Sequence, residues 1–249
     1  SLLLDEIETS YKIKILFASD AGSRAYGWDS SISDFDIHFV YCHPTSYYIS
    51  IQEKQSTLEV QKEIMIDNQK VECNFFGWDL RHCLVLAQKS NIAIAHMMTS
   101  PIIYKEFKPF SSNLINICNT QFCRRTSAQA LLNLVKGNFL KSVCGKEKVR
   151  VKIYLYLLHH LFYVKYLLKH TEDHQQIFPP LQLMKLVEDI NPVPMIKKMI
   201  NYLMKIKKQS KEKDPYVDRL YLLEIYFIIL YRKMRMPVYK MKRILVDVK

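Results

Sequence analysis

Along the first hundred positions, apolar residues come in short runs separated by polar turns. Ile13 to Ala18 predicts a strand. Phe35 to Tyr41 alternates and then runs apolar, as a strand covered on both faces does. Thr57 to Ile66 and Lys70 to Phe76 predict two more, joined by a turn at Asp67-Asn68-Gln69. Leu80 to Leu86 begins a helix that Asn91 to Met98 continues, and Pro101 to Tyr104 predicts a short closing strand. Past residue 110 the period becomes helical, over Ser127 to Phe139, Val149 to Leu168, Leu181 to Val187, Met195 to Ile206 and Tyr216 to Tyr231. Pro179-Pro180, Pro192, Pro194 and Pro215 mark starts or breaks. The pattern predicts an α+β chain: a short mixed sheet with flanking helices over 1–110, then an all-helical domain over 111–249.

Charge divides at the same place. Residues 1–110 sum to −4 and residues 111–249 to +16, giving the net +12 of the 249-residue chain. A basic half points to a polyanionic partner, nucleic acid before membrane, and an acidic half can hold metal ions. Solvated helix faces explain many of the lysines but not why acid fails to balance them in one half only. The chain is 49% hydrophobic, enough for a sizeable core. No run reaches the roughly 18 apolar residues of a membrane span, and Glu224 interrupts the greasiest stretch. The chain starts at Ser1 without an initiator Met, and its opening lacks the basic start of a secretory signal. The six cysteines form no Cys-x-x-Cys pair, which argues against a zinc ribbon and for a reducing, intracellular compartment.

Chemistry concentrates between Ala18 and Tyr41. Gly22-Ser23 follows a strand and opens a helical turn, which offers backbone N–H groups and a hydroxyl to a triphosphate. Asp34-Phe35-Asp36 heads the next strand, so both carboxylates share a face. Carboxylates that close repel unless a cation lies between them, and hard ions such as Mg²⁺, with Mn²⁺ the alternative, suit their oxygens. Either motif alone is commonplace. Together, between two strands, they describe a phosphoryl-transfer site with an NTP as substrate.

Gly22-Ser23-Arg24-Ala25-Tyr26-Gly27 with Asp34-Phe35-Asp36 resembles the DNA polymerase β-type nucleotidyltransferase superfamily. Gly77-Trp78-Asp79-Leu80-Arg81, Lys89-Ser90-Asn91, Ser100 to Tyr104, Gly137-Asn138-Phe139 and Lys152 to Tyr156 narrow the resemblance to its RNA-repair-pathway family, over roughly 13–190. The resemblance implies the nucleotidyltransferase fold, with Asp34 and Asp36 as metal carboxylates and Gly22 and Ser23 on the nucleotide phosphates. It implies a third carboxylate on the strand holding Glu72 and Asn74, which share a face; the acid is expected where Asn74 stands. Either Glu72 is the third metal ligand or the site is weakened, since Asn can ligate but not act as a base. Two more departures are His159-His160, where the family tends to Arg-Pro, and Ala95-His96-Met97, where it tends to Glu-Trp-Leu.

Other residues carry two readings. Arg24 can reach a phosphate or pair with a neighbouring acid. Asp79 favours a helix start without any function, and Trp28 and Trp78 suit a core. Lys152 shares a helix face with Lys148, a ridge fit for the nucleotide or an RNA backbone. Lys197-Lys198 and Lys205 to Lys213 form a second basic run, and Arg232 to Arg243 a third. His170 and His174 lack a third zinc ligand. The reading is transfer of NMP to a hydroxyl, with an RNA 3′ end (a tRNA or tRNA fragment) as acceptor and no membrane partner. The alternatives are nucleotidylation of a protein or small molecule, and a silent RNA-binding member of the fold.

Overall fold

A computed structural model describes residues 2–51, 55–66, 68–169 and 178–234. Strands β1 (Lys14–Asp20), β2 (Phe35–Cys42), β3 (Thr57–Ile66), β4 (Gln69–Asp79) and β5 (Ile103–Glu106) form one sheet in the order β3-β4-β2-β1-β5. β2 and β4 are parallel and the other pairs antiparallel, so the sheet is mixed. Helix α1 (Leu2–Tyr11) lays Leu4 and Ile7 on one face, against Ile15, Ala18, Ile37 and Phe39. The short helices α2 (Ser23–Tyr26) and α3 (Thr45–Tyr48) sit in loops. Helices α4 (Leu80–Gln88), α5 (Ile92–Met98) and α6 (Lys108–Gln121) cover the other face, packing Cys83, Met97, Leu114 and Cys118 around Phe17, Val40 and Trp78. Cover on both sides is why β2 runs apolar where it does.

The helix expected to run through 80–98 is two helices. Ser90 takes a φ of 55°, and Asn91 accepts the Ala93 N–H at 2.9 Å, capping a new start.

The second half gathers α7 (Arg124–Ser142), α9 (Leu183–Ile190), α10 (Pro194–Gln209) and α11 (Tyr221–Met234) around α8 (Val151–Lys169). Tyr154, Leu158, Leu161 and Phe162 of α8 are wholly buried. Two three-residue strands, β6 (Lys148–Arg150) and β7 (Tyr216–Asp218), pair as a ribbon across Val149 and Val217. Lys148 and Arg150 therefore precede the helix rather than ride on it, and the expected ridge with Lys152 on one helix face does not form. The Val151 N–H donates to the Pro215 carbonyl at 2.9 Å, fixing that start.

The halves meet at α2. Ala25, Tyr26 and Trp28 lie in one core with α7, α8 and α10. The Tyr26 and Trp28 rings stack at 4.7 Å, within 5° of parallel, and Tyr26 meets His159 edge-on at 4.7 Å. Both tryptophans are core residues, Trp28 at 0% exposure and Trp78 at 5%.

Candidate active site

β1 ends at Asp20, and the carboxylate of Asp20 builds the turn that follows. Its Oδ1 accepts the Gly22 and Ala25 N–H groups at 3.0 and 3.2 Å, and its Oδ2 accepts the Tyr104 hydroxyl at 3.0 Å. Asp20 is fully buried, and burial pushes its carboxyl above the usual range, against the pull of those three donors. Two amides of the turn are thus engaged from within. Those of Ser23 and Arg24, at the first positions of α2, have no intrahelical acceptor. Gly27 closes the turn at a φ of 85°, the left-handed end that favours glycine.

Gly22 is there for closeness. A Cβ on it would lie 2.8 Å from the Cβ of Asp36 and 3.0 Å from its Cγ, with Oδ2 nearer still. Its φ of −97° suits any residue, so the constraint is steric alone. The phosphate-binding turn and the metal carboxylate expected from the sequence are packed against each other.

Asp34 directly precedes β2, and Asp36 lies within it, opposite Asn74 in the parallel register with β4. Glu72 stands two residues earlier on β4 and shares the Asn74 face. Asn74 donates from Nδ2 to Asp36 Oδ1 at 3.1 Å. Lys213, on the segment between α10 and β7, places Nζ 2.7 Å from Asp34 Oδ2 and 2.9 Å from Glu72 Oε2. Asp34, Asp36, Glu72 and Asn74 thus gather at one end of the β2–β4 pair. Among the described residues no group of three or more His, Cys, Asp or Glu side chains is disposed to hold a metal ion as it stands. The donor chemistry nonetheless fits one: carboxylate oxygens suit a hard divalent cation, and an ammonium already bridges two of the three acids.

Arg24 turns to its own loop. It donates to the Ser33 carbonyl at 2.8 Å, lies 3.7 Å from Asp29 Oδ2 and stacks over Phe35 with its guanidinium carbon 4.1 Å from the ring centre. Lys152 is half-buried on α8, Nζ 5.9 Å from the Tyr156 ring centre. Burial, then Asp36 and Asp214, push the Tyr156 hydroxyl up to about 12. Lys207 on α10 is almost fully buried, donates to the Lys213 carbonyl and lies 3.8 Å from Asp214.

The other motifs are structural. Asp79 caps α4 by accepting the Arg81 N–H at 2.9 Å and takes the Tyr48 hydroxyl at 2.7 Å. Arg81 stacks on Tyr48. His159 grips no phosphate: it is buried, Nε2 donating to the Leu181 carbonyl at 2.8 Å, among Tyr26, His96 and Tyr163. His170, His174 and the basic positions after Met234 lie outside the described residues. The sequence reading missed Asp20, Lys207 as a buried neighbour of the site, and Lys213 as its bridge. Asp20 had a signal, an acid at a strand end just before Gly-Ser; the lysines had none.

"Uncharacterized protein YcgL" of Bacillus subtilis (strain 168) is 28% identical over 211 residues, 85% of this chain and 76% of its own. A crystal structure of a nucleotidyltransferase-like protein from Exiguobacterium sibiricum 255-15 superposes over 92% of this chain and 73% of its own, at 11% identity and a TM-score of 0.33, too low to carry an argument. No helix among the described residues is long and apolar enough to cross a membrane. The turn, the paired aspartates and the strand beside them occur in a chain whose residues 2–225 match the RNA repair pathway DNA polymerase beta family, and the chain belongs to that family.

Proposed function

We propose that the protein transfers NMP from an NTP to the 3′ hydroxyl of an RNA, a tRNA or tRNA fragment, and releases pyrophosphate. Family membership supports a nucleotidyltransferase of the DNA polymerase β type. The observation that carries the reading is the packing of Gly22 against Asp36, which ties a phosphate-binding turn to a carboxylate group. The acceptor hydroxyl passes its proton to solvent water and its oxygen bonds to the α-phosphorus; the bond from the α-phosphorus to the oxygen bridging to the β-phosphate breaks, and pyrophosphate departs with that electron pair. Asp34, Asp36 and Glu72 would hold Mg²⁺ or Mn²⁺, whose charge steadies the attacking and leaving oxygens. Asn74 orients Asp36 and does not act as a base. The Ser23 and Arg24 amides, the Ser23 hydroxyl and Lys152 hold the phosphates. The exposed Lys198, Lys205, Lys208 and Lys211 on and after α10 suit an RNA backbone. Six free thiols fit a reducing, intracellular setting.

The test supplies Mg²⁺, each labelled NTP in turn and a tRNA pool that includes 3′-truncated species, with an Asp34→Ala, Asp36→Ala control. Label enters RNA with the native protein alone. Label in protein would favour the second acceptor class, and no label, with RNA retained on a filter, would favour a silent binding module. In the same assay Gly22→Ala is expected to lose about 100-fold, because its methyl group must push Asp36 or the turn out of place and small misplacements cost about that much. Full activity in that variant would dissociate the turn from the chemistry.

A further inference from the structure

Lys213 arrives at the acids from far along the chain. It is 141 residues from Glu72 in sequence, yet its ammonium makes a charge-assisted contact with Asp34 and another with Glu72. Its own carbonyl and its chain neighbours are held from several sides. Lys207 donates to the Lys213 carbonyl, Arg150 lies 3.5 Å from Asp214, and the Pro215 carbonyl accepts the Val151 N–H. Nearer α10, the Glu212 N–H donates to Ser210 Oγ at 2.9 Å. The buried Lys207 thus props the segment that presents the exposed Lys213. Lys213 and Glu72 are both exposed, and an exposed ion pair contributes little to folding, so stability does not account for the lysine's reach to Glu72 as well as to the more enclosed Asp34. The acids themselves need a positive charge between them while no metal is bound, because neighbouring carboxylates repel.

We propose that Lys213 is the resident counter-cation of the nucleotide-free site: it holds Asp34 and Glu72 together, competes with the divalent ion for them, and is displaced when the ion enters. This rests on the reading of Asp34, Asp36 and Glu72 as metal ligands. The side chain is long and exposed, so once displaced the ammonium stays within reach of an incoming triphosphate. The site then exchanges one cation for another and never leaves its acids bare.

The test titrates the full-length protein with Mn²⁺ alone and reads free Mn²⁺ by its electron paramagnetic resonance signal, without nucleotide. Native protein, Lys213→Met, Lys213→Arg and Asp34→Asn are compared, with thermal melts to establish that each folds. Lys213→Met keeps the stem and removes the charge, and is expected to bind Mn²⁺ on the order of tenfold more tightly. Lys213→Arg keeps the charge and is expected to bind no more tightly than native, and Asp34→Asn to bind more weakly. Equal or weaker binding in Lys213→Met, with Asp34→Asn still impaired, would overturn the lysine's role and leave the metal site standing. No Mn²⁺ bound by any of them would overturn both.

Discussion

Asp36→Asn is expected to lower label transfer by about three orders of magnitude while the protein stays folded. Asp36 is where the parts of the site touch. Gly22 packs on it, Asn74 donates to it, and its charge acts on Asp20, His38 and Tyr156. Losing one negative oxygen from a site that stabilises transition-state charge removes several kcal/mol, and about 4 kcal/mol is a factor of about a thousand. The amide has the same shape, still accepts from Asn74 through its oxygen and removes a negative charge near the buried Asp20, so the melting temperature should hold or rise slightly. Comparing Asp36→Asn with Asn74→Asp sharpens the point. If Asn74 only orients Asp36, Asn74→Asp repels it and activity falls; a gain would make position 74 a ligand. Native-level transfer by Asp36→Asn would remove Asp36 from the mechanism.

Stability is expected to collapse on mild acidification. His96, His159 and His160 form a buried cluster where α5 meets α8, with His96 5.6 Å from His159 and 6.0 Å from His160 between ring centres. Burial holds all three below the ordinary histidine range, and the neighbouring rings push His96 and His159 further down. His38 is also lowered, by burial against a partial restoring pull from Asp36. A base with a depressed folded pKa contributes stability above its unfolded pKa and loses it as pH falls through that value. Below about pH 6.5 the unfolded chain takes up protons that the folded chain refuses, costing about 1.4 kcal/mol per pH unit for each histidine. Three such groups give a slope near 4 kcal/mol per pH unit between pH 6 and 5, as an upper bound. Denaturant midpoints at pH 7, 6 and 5 measure it. His159→Gln keeps a donor for the Leu181 carbonyl without the basic nitrogen, and should lower the slope by about one proton. A flat profile would mean that the cluster admits protons while folded.

Much of the sheet is legible in the sequence because most of its strands carry their own pattern. Thr57–Ile66 has one face to the core and one to solvent, and its bounds are those the alternation predicts. Phe35 to Tyr41 reads as a covered strand because α1 lies on one side and α4 to α6 on the other. Helix α1 goes unread because only Leu4 and Ile7 of its ten residues are buried. Helix α6 hides for a related reason: Ile115 and Ile117 face solvent while Leu114 and Cys118 face the sheet, which blurs the stripe. The ribbon of β6 and β7 is too short to show a period and is set by one valine pair. At the site, what is local was readable, Gly22 with Ser23 and Asp34 with Asp36. What is convergent was not. Asn74 becomes intelligible only when the register sets it opposite Asp36. Lys213 was one lysine in a basic run until the fold carried it across to Asp34. His159 looked like a lost phosphate ligand and proves to be packing.

The seating of Tyr26 and Trp28 also restricts how the molecule can move. Two halves joined by a polar interface commonly rock about it to admit a ligand. Here the turn proposed to bind phosphate belongs to both halves, its backbone to the sheet and its aromatic rings to the helical core. A rocking motion would have to pull a fully buried indole from its pocket. The two halves are therefore pinned together at this turn, and any movement that admits a ligand must leave the Tyr26–Trp28 stack in place.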